Sequence, residues 1–322
     1  MKKTRLLTKL RKLTITIILL LILGMVCVSN CIASSGNAGT RSAQFLKMGF
    51  GGRPTALGGA FVGLSNDISS VYWNPAGLAD INKAQLGFMH LVWFQDISYE
   101  YFAYAKPYAK SFEKWGVFGL SVGYLHMGKI EGRDEEGIST SDYTASDMVI
   151  TFSHGQRITN NLSIGANIKY INEKIENQRA NAFAFDLGVL YRTPIENLSL
   201  GGTLQNFGQS IKFVAESCKL PTTAKLGACY SYIFMGSPVN LAMDIYFPSD
   251  GKTTLHLGTE GIYKNTLSGR IGYKNGSDLD NSGLSFGLGL MLTKNQTYAL
   301  DYAFVPQGVL GNTHTFSFGV RF

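Results

Sequence analysis

The sequence predicts an all-β fold: a transmembrane antiparallel β-barrel of about 14 strands, preceded by an N-terminal plug. Three observations predict it. The 322 residues are 45% hydrophobic and 12% aromatic but only 16% charged, well under the roughly 25% of a soluble domain. Mean hydropathy is nonetheless only +0.05, too low for a bundle of membrane helices. Finally, segments of about 8 to 14 residues alternate apolar and polar side chains and are separated by turn residues, as half-buried strands do.

The N-terminus carries Lys2, Lys3, Arg5, Lys9, Arg11 and Lys12, and no acidic residue precedes Asp67. The apolar stretch Leu13 to Val28 follows, then the small and polar residues Ser29, Asn30, Cys31, Ile32, Ala33 and Ser34. A basic start, an apolar core and small residues make a secretory signal, so residues 1–33 are expected to be removed near Ala33. A permanent helical anchor normally needs about 20 apolar residues. Without the six N-terminal cations, 23 of the 29 basic residues face 22 acidic ones. The formal charge of +7 therefore belongs to the leader, and no basic face remains for nucleic acid. Cys218 and Cys229 are the cysteines left; an extended chain between them exceeds disulfide reach.

The strands read in order as 84–93, 97–107, 114–127, 145–154, 161–172, 180–193, 197–206, 221–233, 237–247, 253–263, 267–274, 282–293, 296–305 and 313–322. The last is the clearest: Phe316, Phe318, Val320 and Phe322 point one way, Thr315, Ser317, Gly319 and Arg321 the other. Connections alternate as an outer-membrane barrel requires, with short turns at 156–160, 194–196, 234–236, 264–266 and 294–295. Longer outer loops are expected at 128–144, 173–179, 207–220, 275–281 and 306–312, while 94–96 is short where a long one is expected. A β-sandwich alternates too, but its outward face carries the charge. Here the polar face is mostly Gly, Ser, Thr and Asn, with isolated Glu100, Asp186, Asp244, Glu260, Arg270, Asp301 and Arg321, which fits a lumen. A propeller or β-helix would show a fixed repeat, and none is visible.

Residues 34–83 are too apolar for a linker and too rich in glycine for a long helix. Gly49, Gly51 and Gly52 mark a turn before Pro54, and Thr55 to Leu64 reads as a short helix. Pro75 pushes Asn74 to an extended conformation, from which it caps the turn that follows. A barrel of about 14 strands is wider than its own side chains fill, so this segment is expected to plug the lumen of a barrel formed by residues 84–322.

Phe45-Leu46, Gly52-Arg53-Pro54, Ala56 through Phe61, Asp67, Tyr72 through Leu78 and His90 resemble the start of PorV/PorQ-family outer-membrane proteins. That family is related to the FadL-type transporters, whose N-terminal hatch carries an Asn-Pro-Ala motif. The resemblance covers about residues 41–106 and singles out Gly58, Gly59, Asn74, Pro75, Ala76 and Gly77 as the hatch motif. It implies a FadL-like barrel of 14 strands in the outer membrane of a diderm bacterium. PorV-type proteins serve protein secretion and surface attachment through cargo or translocon partners. FadL-type proteins pass hydrophobic small molecules such as long-chain fatty acids through a lateral opening. The expected role is the first, with the second as the alternative.

His90, His126, His154, His256 and His314 are dispersed, without ligand spacing or HExxH, and no Gly-x-Ser-x-Gly occurs. No catalytic, metal or cofactor residue is therefore assigned, and no enzymatic activity is expected. His256 and His314 are the two that a triad would use. Asp134, Glu135 and Glu136 read as a solvated acidic loop. The terminal Phe322, after Phe316, Phe318 and Val320, resembles the sorting strand read by the barrel-assembly machinery, which pairs an open strand edge.

Overall fold

The computed structural model describes residues 40–108, 116–134, 136–213, 216–275 and 283–322. The expected leader (1–33), the first residues of the expected plug (34–39), Glu135 and most of the 275–281 loop lie outside the described residues.

Fourteen antiparallel strands close into one barrel. The first seven run in chain order: β1 (Gln85–Val92), β2 (Ser98–Pro107), β3 (Val117–His126), β4 (Ala145–Arg157), β5 (Leu162–Ile175), β6 (Gln178–Arg192) and β7 (Leu198–Gly208). A small hairpin, β8 (Ile211–Phe213) and β9 (Glu216–Cys218), interrupts the series. The barrel resumes with β10 (Thr223–Phe234), β11 (Ser237–Pro248), β12 (Thr254–Tyr263), β13 (Leu267–Lys274), β14 (Leu284–Thr293), β15 (Thr297–Pro306) and β16 (Asn312–Arg321). β7 pairs directly with β10, and β1 pairs with β16 from Gln85↔Arg321 to Val92↔His314. The barrel sheet itself has no open edge, which removes the usual aggregation hazard of a sheet.

Alternation along each strand places large apolar residues outside. Phe152 is 61% exposed and Leu288 68%, whereas Asp186 and Glu260 on the inner face are 0% exposed. An apolar outer wall with polar groups within is inverted relative to a water-soluble protein.

Four expectations are corrected by the coordinates. The 173–179 loop is absorbed into strands: β5 and β6 pair out to Ile175↔Gln178 and turn at 176–177, with Glu176 at φ 54°. The 207–220 loop folds on itself, Ile211 pairing with Cys218. The short helix is Gly52–Ala56, not Thr55–Leu64. Pro54 needs no N–H in a first turn, and Gly58 (φ 67°) and Gly59 (φ 84°) leave helical space just beyond it. Glu100 faces outward rather than into the lumen, because Tyr99 and Tyr101 on either side of it are buried inside. Phe50 stacks on Tyr101 at 4.3 Å and Phe45 meets Tyr99 edge-on at 6.5 Å. Those contacts set the phase of β2. On the outer face Glu100 Oε1 lies 2.7 Å from His90 Nδ1 and 3.9 Å from His126 Nε2.

Candidate functional site

The N-terminal segment is built from single turns: a 3-10 turn Gln44–Lys47, helix α1 (Gly52–Ala56), helix α2 (Ser70–Trp73) and a 3-10 helix Pro75–Asp80. None has the length to be stable alone, so tertiary contacts must hold them. The last packs on β4, β5 and β6, while α1 packs on β13 to β16. Since the sheet is closed, a segment touching both groups of strands crosses its interior.

Its backbone polar groups find partners among the inward strand side chains. Asp244 Oδ2 accepts from the amides of Phe61 and Val62, both at 2.8 Å. Asn167 donates to Val71 O (2.9 Å), Ser199 to Gly63 O (2.7 Å), Tyr246 to Gly59 O (2.5 Å), His256 Nδ1 to Gly58 O (2.6 Å) and Ser285 to Ala56 O (3.0 Å). The inward face is polar chiefly because irregular backbone runs beside it, and each buried carbonyl or amide needs a partner.

The hatch-motif residues fall at the tightest points. Asn74 is fully buried; its Oδ1 accepts from Ala76 N (3.1 Å), while Nδ2 donates to Val62 O and Val189 O, both 3.0 Å. Pro75 begins the 3-10 helix, and a Cβ on Gly155 of β4 would come within 2.6 Å of its carbonyl oxygen. Gly58 lies on β13, where an added Cβ would meet Tyr273 N at 2.8 Å; Gly77 would meet Ser65 Cβ at 2.7 Å, and Ala76 is fully buried.

Ion pairs fasten the segment at the end of the barrel where the short turns lie. Arg53 bonds Glu260 through Nε (2.9 Å) and Nη2 (2.7 Å) and Asp67 through Nη1 (2.6 Å). Arg270 joins Glu260 (2.8 Å) to Asp301 (2.7 Å). Asp80 binds Arg157 at 2.6 Å and also Arg192. At Asp67 burial alone would raise the carboxyl pKa, but Arg53 and the Ser69 hydrogen bond outweigh it and hold the group below its ordinary value. Burial likewise disfavours charge on Arg53, and Glu260 and Asp67 reverse that, leaving the guanidinium pKa above its usual value. At the opposite end, Asp250 accepts from Lys47 Nζ and Gln44 Nε2, both at 2.8 Å. Its pKa is lowered: burial opposes ionisation, and these two partners overcome it.

The segment divides the lumen. Between it and the short turns lies a cavity of about 250 Å³ lined by Arg53, Asp67, Glu260, Arg270 and Asp301. Between it and the long loops lies one of about 520 Å³, lined by Leu46, Met48, Trp73, Leu91, Trp93, Lys225 and Tyr246 among others. The interior is thus largely occupied by protein, in contrast to an open wet lumen.

The expected sorting strand is β16 with Phe322 beyond it. Phe316, Phe318 and Phe322 face outward and exposed; Val320 is mostly covered, between its cross-strand neighbours Leu86 and Tyr298. His256 and His314 stand apart, and His90 and His126 meet only through Glu100 on the outer face. His256 uses Nδ1 on Gly58 O and Nε2 on Thr254 (2.8 Å), and His314 bonds Tyr302 on the outer face at 2.9 Å. Cys218 and Cys229 are free thiols. Sequence reading missed Asn167, Ser199, Gln205, Lys225 and Tyr246; their inward parity was legible, but their partners belong to a segment remote in sequence.

Solved structures with this fold include the Ralstonia pickettii toluene transporter TbuX (TM-score 0.59, 13% identity, covering 85% of this chain and 98% of that one). The Pseudomonas putida toluene transporter TodX is similar (0.57, 15%, 84% and 96%), as is a FadL homologue of Pseudomonas aeruginosa (0.51, 13%, 82% and 96%). No match was found among curated proteins. The fold is therefore that of the FadL-type barrels. A family model covers residues 25–258, and by that match the chain belongs to the uncharacterised protein family UPF0164.

Proposed function

We propose that this protein is a non-enzymatic outer-membrane channel that lets small hydrophobic molecules cross passively, with residues 34–83 as its hatch. The observation that carries this reading is the N-terminal segment crossing a closed barrel and leaving a chamber on either side. Sealing by short, glycine-loosened turns requires little rearrangement to open, because each turn is held by a few hydrogen bonds. The apolar outer wall suits membrane lipid, and the fold is shared with barrels described as toluene transporters. The test is entry of labelled toluene and palmitate into proteoliposomes. Faster entry than in protein-free vesicles is expected for at least one solute; equal rates for both would sink the reading.

A second reading, a component of secretion or surface attachment that binds secreted proteins, rests on the PorV/PorQ-like motif running from Gly58 to Gly77. Gentle extraction followed by affinity capture would recover a secreted partner in stoichiometric amount; capture of the barrel alone argues against it. In both readings Phe316, Phe318, Val320 and Phe322 form the strand presented to the assembly machinery.

A further inference from the structure

Lys225 stands apart from the other cations of the lumen. It lies on β10, 4% exposed, its Nζ 4.3 Å from the ring centroid of Tyr246, 5.1 Å from that of Trp73 and 5.4 Å from that of Tyr72. Arg53 and Arg270 each bond carboxylates, and Lys169 bonds Asp186 and Asn206, both at 2.7 Å. Lys225 makes no hydrogen bond or ion pair among the described residues. The nearest inward carboxylate on β11, Asp244, is turned to the amides of Phe61 and Val62 instead.

Aromatic faces offset part of the cost of burying an ammonium, but they leave its three N–H donors unused, and unused buried donors are expensive. Those donors border the 520 Å³ chamber beneath the long loops. Lys274 lines the same chamber, and the carboxylate there, Asp250, is already bonded to Lys47 and Gln44. Leu46, Met48, Leu91 and Trp93 line the chamber as well. The volume is that of an ordinary small-molecule site, roughly 300–1,000 Å³.

We propose that this chamber binds a compact organic monoanion, a carboxylate carried on an aromatic or short aliphatic body, with Lys225 as the counter-ion that selects it. The proposal rests on the channel reading in placing solutes in the lumen, yet it concerns selection rather than passage. Two groups of partners are required at once, cation for the head and apolar wall for the body, and the chamber supplies both. Neutral hydrocarbons would satisfy only the wall.

The test uses full-length protein in detergent, with tryptophan emission followed during titration, since Trp73 and Trp93 border the chamber. Benzoate, toluene and inorganic phosphate are the probes. Saturable binding of benzoate is expected, stronger than that of toluene, with phosphate failing to compete because it has no apolar body. Lys225→Met should weaken benzoate about tenfold or more, the loss of a charge-assisted contact, while leaving the toluene response in place. Lys225→Arg should retain benzoate binding, which separates loss of charge from misfolding. Benzoate binding unchanged in Lys225→Met, or phosphate competing as well as benzoate, would overturn the proposal. Entry of toluene and palmitate into proteoliposomes is read separately: failure of both removes the channel reading without touching the benzoate result.

Discussion

A single buried carboxamide, Asn74, joins three parts of the molecule: its own 3-10 turn, the turn at Val62 and the wall strand β6. Asn74→Ala takes the side-chain donor from the Val62 and Val189 carbonyls and the acceptor from Ala76 N, a loss of about 1–3 kcal/mol. The loss falls on the segment, not on the sheet. The expected outcome is higher and noisier conductance in planar bilayers with an unchanged barrel signature in circular dichroism; unchanged conductance counts against the hatch. Glu260 is the hub of the second cluster. Glu260→Gln removes the charge that Arg53 and Arg270 share and leaves each with a single carboxylate, Asp67 or Asp301; weakening two buried pairs at once costs up to about 3–5 kcal/mol. A fall in thermal midpoint should follow, accompanied by raised conductance. A variant as stable and as tight as the parent would show that the pairs do not hold the segment.

At the scale of elements, the close approach of hatch to wall depends on missing side chains. Gly155 faces Pro75 so closely that a Cβ would come within 2.6 Å of its oxygen and 2.7 Å of Leu78 Cβ. Gly155→Val therefore cannot coexist with the present seating of the 3-10 helix Pro75–Asp80. It should expose the segment to added protease while the barrel itself resists, and protection equal to that of the parent would refute this seating. The last strand makes a different prediction. Phe322 projects beyond β16, its amide bonded to Ala84 O. Phe322→Ser should reduce the amount of barrel in outer membranes several-fold without altering the melting of what is assembled. A melting change alone would mark the residue as structural.

Much of the whole molecule was legible in sequence because a barrel repeats one simple rule. All 14 barrel strands follow from alternation and turn residues, the least ambiguous being Thr315 to Arg321. What alternation alone leaves undecided is which face turns inward. Glu100 was placed on the wrong side because Tyr99 and Tyr101 resemble lipid-facing residues, and only contact with Phe45 and Phe50, some 50 residues earlier, reverses that. The capping role of Asn74 was readable from Pro75 alone, being local; the roles of Asp244, Asn167 and Lys225 depend on distant partners. The charges of the assembled lumen also imply a pH response. The Asp67 and Asp250 pKa values lie below the ordinary 3.8. Their pairings thus stabilise the seated segment fully above that value, and the contribution is lost as pH falls through the lowered values. Conductance should stay flat from neutral pH to about 4 and rise on further acidification. A rise already near neutrality would assign the response to other groups.

The seam between β1 and β16 has a consequence for biogenesis. The strand synthesised last must meet the one synthesised nearly first, and by then residues 44–81 have to be gathered on the inner side. A finished ring admits no such threading through its wall. Collapse of the leading segment onto a still-open sheet, followed by zippering of the final seam around it, meets both conditions.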